Sequence, residues 1–400
     1  MKRREFLKTC FAFNAAVGAT ASTPILAELV VPVSAKAALT TDARFYVSAA
    51  KQPNGHFVIA QFNGQGEVVS QNTLPSRGHH IAVSPNGRLI AVPARRPGMT
   101  LDIYALPHHD NGANTRVGAA LEPLKQLLAP EGSHFFGHAI FTHDSQYLIT
   151  TENQFNPQDP TSGEGRVRIY SVQEGFKQIK DYPAYGIGPH ELKLSQDGHT
   201  IVVAIGGILT HPNQGRAKLN VDTMKPALVY IDFATGELLE KAELAPELNQ
   251  LSIRHFDLNH QGDVIFGMQY QGELSDMVPL VGRHKRGQDI ELLEAPMPKH
   301  VKMTQYCGSV RCDHSGQYAA ISHPRGDMVS FWDTQTGEYI TDCRVRDGCG
   351  IAAGSRAGEF MLSAGTGRTY IYDLMTNKVT RLSSASNLAW DNHMSVVSAS

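Results

Sequence analysis

Apolar and polar positions alternate along this chain in a recurring unit. HHIAVSPNGRLIAV (79–92) is an alternating stretch, a four-residue turn and then a more continuously apolar stretch. The same order returns in GHAIFTHDSQYLIT (137–150), HELKLSQDGHTIVVA (190–204), RHFDLNHQGDVIFG (254–267), GSVRCDHSGQYAAIS (308–322) and GIAAGSRAGEFMLSA (350–364). Period-two patterning around a short turn with Gly or another small residue predicts a β-hairpin. A second hairpin follows each first one. It is plain in LVYIDFATGELLEKAEL (228–244), VSFWDTQTGEYITDCRV (329–345) and TYIYDLMTNKVTRL (369–382), and looser in VPLVGRHKRGQDIELLE (278–294). RVRIYSVQEGFKQIK (166–180) and FVIAQFNGQGEVVSQNTL (57–74) also fit. Asp232, Asp333 and Asp373 stand at the same place before the second turn, as in the Trp-Asp of propeller blades (here Trp332-Asp333).

Two hairpins per unit predict an all-β, seven-bladed β-propeller of the WD40/YVTN-like kind. The ends support closure. Residues 42–74 supply only three strands of a blade, and the alternating segment 387–393 supplies one more. Pairing them completes a blade and leaves no open sheet edge. The expected domain is a single propeller over residues 38–400, least regular around residues 88–130.

Composition adds limits. Hydrophobic residues make up 42% and charged residues 18%, as in a folded chain, and the net charge is -2. No basic run follows the N-terminus, so a nucleic-acid partner has no electrostatic support. The start, Lys2-Arg3-Arg4-Glu5-Phe6-Leu7-Lys8, resembles a twin-arginine export signal, with Lys2 departing from its usual Ser or Thr. A weakly apolar stretch (9–23) and the small-x-small Ala35-Lys36-Ala37 follow. Residues 1–37 therefore read as a removed signal, and the periplasm as the expected compartment. Cys10 is not placed for lipid attachment, and no later apolar run reaches the roughly 20 residues of a membrane span. The expected mature chain is a monomer. In an oxidising compartment Cys307, Cys312, Cys343 and Cys349 can pair in three ways; their clustering favours at least one disulfide, and buried thiols are the alternative.

The strand order of a blade puts the starts of innermost strands and the longer connections on one face. Segments 93–99, 107–133, 152–165, 206–226 and 268–276 all belong there, and such loops commonly carry binding sites. His79, His80, His138, His190 and His255 precede the same turn by four or five positions, with Glu191 and Arg254 adjacent. Second-strand ends add Arg95, Glu152, Asn153, Gln269, His323 and Arg325; His211 lies on a long loop, and His393 can enter from the closing blade. Converging imidazoles suit iron, copper or haem, with His80, His138, His190 and His255 as the expected metal ligands. With the arginines the same groups suit an anionic small molecule, and His190, Glu191 and Arg254 suit acid–base work on a lactone. Alternatively these histidines only cap strands by hydrogen-bonding neighbouring backbone; related strands begin with Gly308 and Gly350, so capping does not require His. His56, His108, His109, His143, His199, His260, His284 and His314 fall in turns or loops and are expected to be solvated.

Across nearly its whole length the chain resembles domain-of-unknown-function family 1513, twin-arginine-exported bacterial propellers. The resemblance rests on RREFLK, RGHHIAVSPNGRLIAVPARRPG, and the GHA and PHELKLSQDG segments. Members are typically encoded beside imelysin-like and peroxidase-like proteins of iron acquisition. The resemblance thus implies a non-catalytic periplasmic accessory that binds a metal-linked ligand or a protein partner, and it carries no catalytic residues. A weaker resemblance, through Pro189-His190 and Arg254-His255, is to lactonase-type propellers. It implies a hydrolase with His190, Glu191 and Arg254 at the channel mouth. A plain interaction scaffold is the third reading.

Overall fold

The computed structural model describes residues 44–95, 97–106, 120–382 and 387–397. Residues 1–37, with the expected export signal, lie outside the described residues, as do His108 and His109. The described residues form seven antiparallel four-stranded sheets, the blades of a propeller. The innermost strands, in chain order, are Ala82–Val83, Ser133–Phe141, Pro189–Leu194, Leu251–Leu258, Ser309–Cys312, Gly348–Ala353 and Ala389–Val397. Each packs against the innermost strand of the next blade, and Ala389–Val397 packs against Ala82–Val83, so the ring is closed around a central channel.

Closure is made by chain ends. Ala389–Val397 pairs with Phe45–Lys51, which continues through Phe57–Asn63 to Val68–Leu74. The Ser48 hydroxyl donates to the His393 carbonyl at 2.6 Å across this seam. Trp390 is buried beside Phe62, their rings 5.0 Å apart. The least regular blade is the expected one, since its innermost strand is only Ala82–Val83.

Turn chemistry explains why the units look alike. The Asp232 carboxylate accepts from the Ala234 and Thr235 amides at 2.9 and 2.8 Å, and Asp333 does the same for Gln335 and Thr336. The following Gly236 and Gly337 have φ of +80° and +76°, which a side chain would oppose. The acidic residue thus stops the strand by taking up amides the ladder cannot satisfy.

Apolar residues from facing blades fill the space between sheets; Tyr230, Phe266, Val310 and Trp332 belong to the largest such core. Three expectations change here. Segment 152–165 is not a loop, because Tyr147–Asn156 and Asp159–Ser171 run on as a long paired hairpin. Cys307, Cys312, Cys343 and Cys349 are free thiols, buried among the blades, and burial raises each pKa. His284 is buried rather than solvated: it shares a 2.6 Å hydrogen bond with the Tyr230 hydroxyl and meets the Gln288 carbonyl at 2.8 Å.

His323 also turns out to hold the scaffold. Trp332 Nε1 donates to Ser330 Oγ at 2.8 Å, and Ser330 Oγ lies 2.9 Å from His323 Nε2. His323 Nδ1 meets the Tyr306 carbonyl at 3.2 Å, so Nδ1 carries the proton and Nε2 accepts. Burial lowers the pKa of His323 from 6.5 to about 4, against the hydrogen bond to Tyr306, which raises it. The unfolded chain therefore takes up a proton between pH 6.5 and 4 that the folded chain refuses, and stability is lost as pH falls through that window. From that shift His323 is expected to contribute about 3 kcal/mol of acid destabilisation between pH 7 and 4. Denaturant titrations at both pH values should show this difference shrinking by that amount in His323→Asn.

Candidate functional site

The channel is filled with imidazole. His79, His138, His190, His255 and His393 form a ring cluster, with centroids 4.6 Å apart for His79–His393 and His138–His393, 4.7 Å for His138–His190 and His255–His393, and 4.8 Å for His190–His255. His80 stacks on His138 at 4.8 Å. The six come from five blades.

Local backbone irregularity brings them inward. The innermost strand shifts register between Phe135 and Ala139 around His138, within Pro189–Leu192 around His190, and between Ile253 and His255. The closing strand shifts opposite Ser48–Ala50, where His393 lies, and Gly78 and Ala82 pair on either side of His79 and His80 with a one-residue slip. A bulge breaks the alternation of faces and re-aims the extra side chain. Ser309–Cys312 keeps its register throughout, and it carries Arg311 instead of a histidine. Gly137 makes room for the cluster: its φ is +104°, and a Cβ there would stand 2.7 Å from His79 Cδ2.

The cluster is neutral. Burial, reinforced by neighbouring cations and by the other imidazoles, holds the pKa values of His79, His138, His190 and His393 well below 6.5. His80 falls to about 3 by burial and the Arg311 charge. Two carboxylates adjoin the cluster: Asp391, 3.6 Å from His79 Nδ1, and Glu191, which is hydrogen-bonded to His255. Burial works against its charge, but Arg311 at 2.8 Å, the His255 hydrogen bond and Lys193 outweigh it and keep Glu191 ionised. Because Glu191 is an acceptor, the 3.1 Å contact with His255 places that proton on Nδ1 and leaves Nε2 as a lone-pair nitrogen. Carboxylate-to-imidazole bonds of this kind orient metal-ligating histidines.

Three donor sets have ligand atoms within 4.8 Å of one another: His79, His138 and His393; His138, His190 and His255; and His80, His138 and Glu191. His138 belongs to all three. Both ring nitrogens of His79, His138 and His393, and Nδ1 of His80, are buried with no hydrogen-bond partner in the protein. Each unpaired buried polar group costs about 1–3 kcal/mol, so seven together match or exceed the whole net stability of a typical domain.

The remaining expected residues separate from this cluster. Arg95 lies at its edge, Nη1 donating to His190 Nδ1 at 3.0 Å and to the Phe136 carbonyl at 2.5 Å. Arg254 acts on the cluster through its charge, which helps to lower His190 and His255 after burial. Glu152 is held inside the second blade, accepting from the Tyr170 hydroxyl at 2.7 Å and Thr150 at 2.8 Å and ion-paired with Arg168. Asn153 is fully buried next to it, and Gln269 donates to the Cys307 carbonyl at 2.9 Å between blades. Arg325 stacks over Tyr306 at 4.4 Å. Arg311, His134 and the Arg77–Asp391 pair (2.7 and 2.9 Å) were not among the expected site residues. Arg311 stands within a strand-start segment aligned with the histidine ones, so it could have been found.

Comparison with known proteins settles the family. This chain belongs to the family described as "Protein of unknown function (DUF1513)", matched over residues 72–397. No curated protein matches it. Solved structures with a similar fold include the periplasmic gluconolactonase PpgL of Pseudomonas aeruginosa, at 14% identity and a TM-score of 0.59, covering 88% of this chain and 99% of that one. A functionally unknown protein from Desulfotomaculum acetoxidans is similar at 10% identity and 0.56, covering 88% and 98%. Hydrazine synthase of Kuenenia stuttgartiensis is similar at 12% and 0.55, covering 84% and 95%. At these identities the likeness is one of fold.

Arg311 and Glu191 form a buried pair beneath the DUF1513 histidine cluster. Arg311→Met leaves the buried Glu191 charge with only the more distant Lys193, 3.8 Å away, and should cost about 3–5 kcal/mol in denaturant titration. Adding Glu191→Leu should recover most of that loss.

Proposed function

We propose that this protein is a non-catalytic periplasmic accessory that holds a first-row transition metal in its propeller channel, in the service of metal acquisition, with iron and copper the leading candidates. One observation carries the reading: six neutral imidazoles converge, and seven of their nitrogens lack a protein partner. Neutral imidazole ligates such ions, and nitrogen donors favour them over calcium or magnesium. The depressed pKa values mean that protons compete little for these nitrogens near neutral pH. A hydrolase built on His190, Glu191 and Arg254 has less support, since Glu191 is consumed by Arg311 and His255 and lies fully buried.

Metal-free protein titrated with Fe(II), Cu(II), Zn(II) and haem, followed by elemental analysis and absorbance, should retain at least one ion stoichiometrically. His138→Ala should weaken that binding at least 100-fold because it removes a donor from every set, whereas His323→Asn should leave it unchanged. Retention of nothing, or indifference to His138→Ala, overturns the reading.

The periplasmic part rests on the RREFLK start. Replacing Arg3 and Arg4 together by Lys should trap the uncleaved chain in the cytoplasm, seen by fractionation and by mass. Continued export of the double variant contradicts this part.

A further inference from the structure

On the loop face, directly outside the histidine cluster, a cavity of about 560 Å³ opens to solvent. This is within the size range of small-molecule sites, and the lining mixes apolar and aromatic residues with polar and cationic ones. Phe57 and Phe136 supply aromatic surface, and the polar groups include Arg95, His134, His211 and Arg216. Among the described residues none of the lining groups is acidic.

Two of these polar groups are built in rather than merely exposed. His134 and His211 are both more than nine-tenths buried, and each has an Nε2 with no hydrogen-bond partner in the protein. They flank Phe155, with ring centroids 5.9 and 4.8 Å from it. His211 can be assigned a tautomer. Its Nδ1 accepts the Asn213 amide at 3.2 Å, so in the neutral ring Nε2 bears the hydrogen. His211 thus lines this cavity and carries a buried Nε2–H that nothing in the protein receives. Arg95, whose guanidinium lies 5.1 Å from the Phe136 ring centroid, adds a cation at the cavity floor. A buried donor, a guanidinium and aromatic walls, with no acid among them, match an anionic head on an apolar body.

We propose that this vestibule is a binding site for an aromatic carboxylate, its carboxylate received by the His211 Nε2–H and Arg95 and its ring by Phe57 and Phe136. The site is separate from the histidine cluster and does not require a metal there; Arg95 touches both, through His190 on one side and the cavity on the other.

The test uses the metal-free full chain, so its outcome does not depend on whether the channel holds an ion. Calorimetric titration with 2-naphthoate should give saturable one-to-one binding below about 1 mM, and 2-naphthamide, the neutral isostere, should bind at least tenfold more weakly. His211→Phe should weaken naphthoate at least tenfold while the melting temperature stays within a few degrees. If that variant does not fold, Phe57→Ala, which removes aromatic surface assigned to the ring, provides the second arm, with the same expected direction. Side-chain nitrogen resonances of His211 should shift with naphthoate and not with the amide. Equal binding of acid and amide, absence of saturable binding, or unchanged affinity in the folded variants each overturns the proposal.

Discussion

Everything in this molecule depends on the antiparallel pairing of Ala389–Val397 with Phe45–Lys51. A propeller has no single core; apolar layers lie between neighbouring blades, and each blade has two neighbours only if the circle is complete. The pairing joins segments roughly 350 residues apart in sequence, as the Ser48–His393 hydrogen bond shows by its separation of 345. It converts a row of sheets into a ring, and only a ring has an axis on which side chains from five blades can meet.

What meets there is chemically unusual. A closed channel normally fills with apolar side chains or ordered polar networks, and buried polar atoms nearly always find partners. Here the side chains are neutral imidazoles that contact one another's faces and edges more than they hydrogen-bond. Charges flank them at both ends: Arg95 toward the vestibule, and Glu191, Arg311, Lys193 and Asp257 toward the second opening. The ion-paired end keeps its charges matched, so the cluster itself stays uncharged.

The fold was legible because its determinants are local. Alternation, the SPNG-like and DxxTG-like turns, and the split end blade each state their geometry within a dozen residues. Five of the histidine positions were legible for the same reason, since they precede one turn, and His393 followed from the split end blade. The bulges were not, because register is a property of two strands, and without them no pattern tells which side chain faces the axis. Glu152 belongs to the scaffold because Arg168 and Tyr170 sit across the hairpin from it, a pairing invisible in its own segment. His284 was read as solvated because it falls beside a turn, yet Tyr230, 54 positions away, reaches it from the neighbouring blade. Cysteine spacing likewise says nothing about whether two sulfurs face each other across a blade.

His393 belongs to the innermost strand that comes latest in the chain, while His79 comes from the first blade. Bringing ends so distant together is a high-contact-order event, with the loop-closure entropy due before the reward. A nascent chain can stack its early blades one on another, but an open arc of blades keeps the first and fourth inner strands off a common axis. The imidazole cluster therefore lacks its sixth member until the last strand has been made. Its completion by His393 therefore coincides with the shutting of the circle.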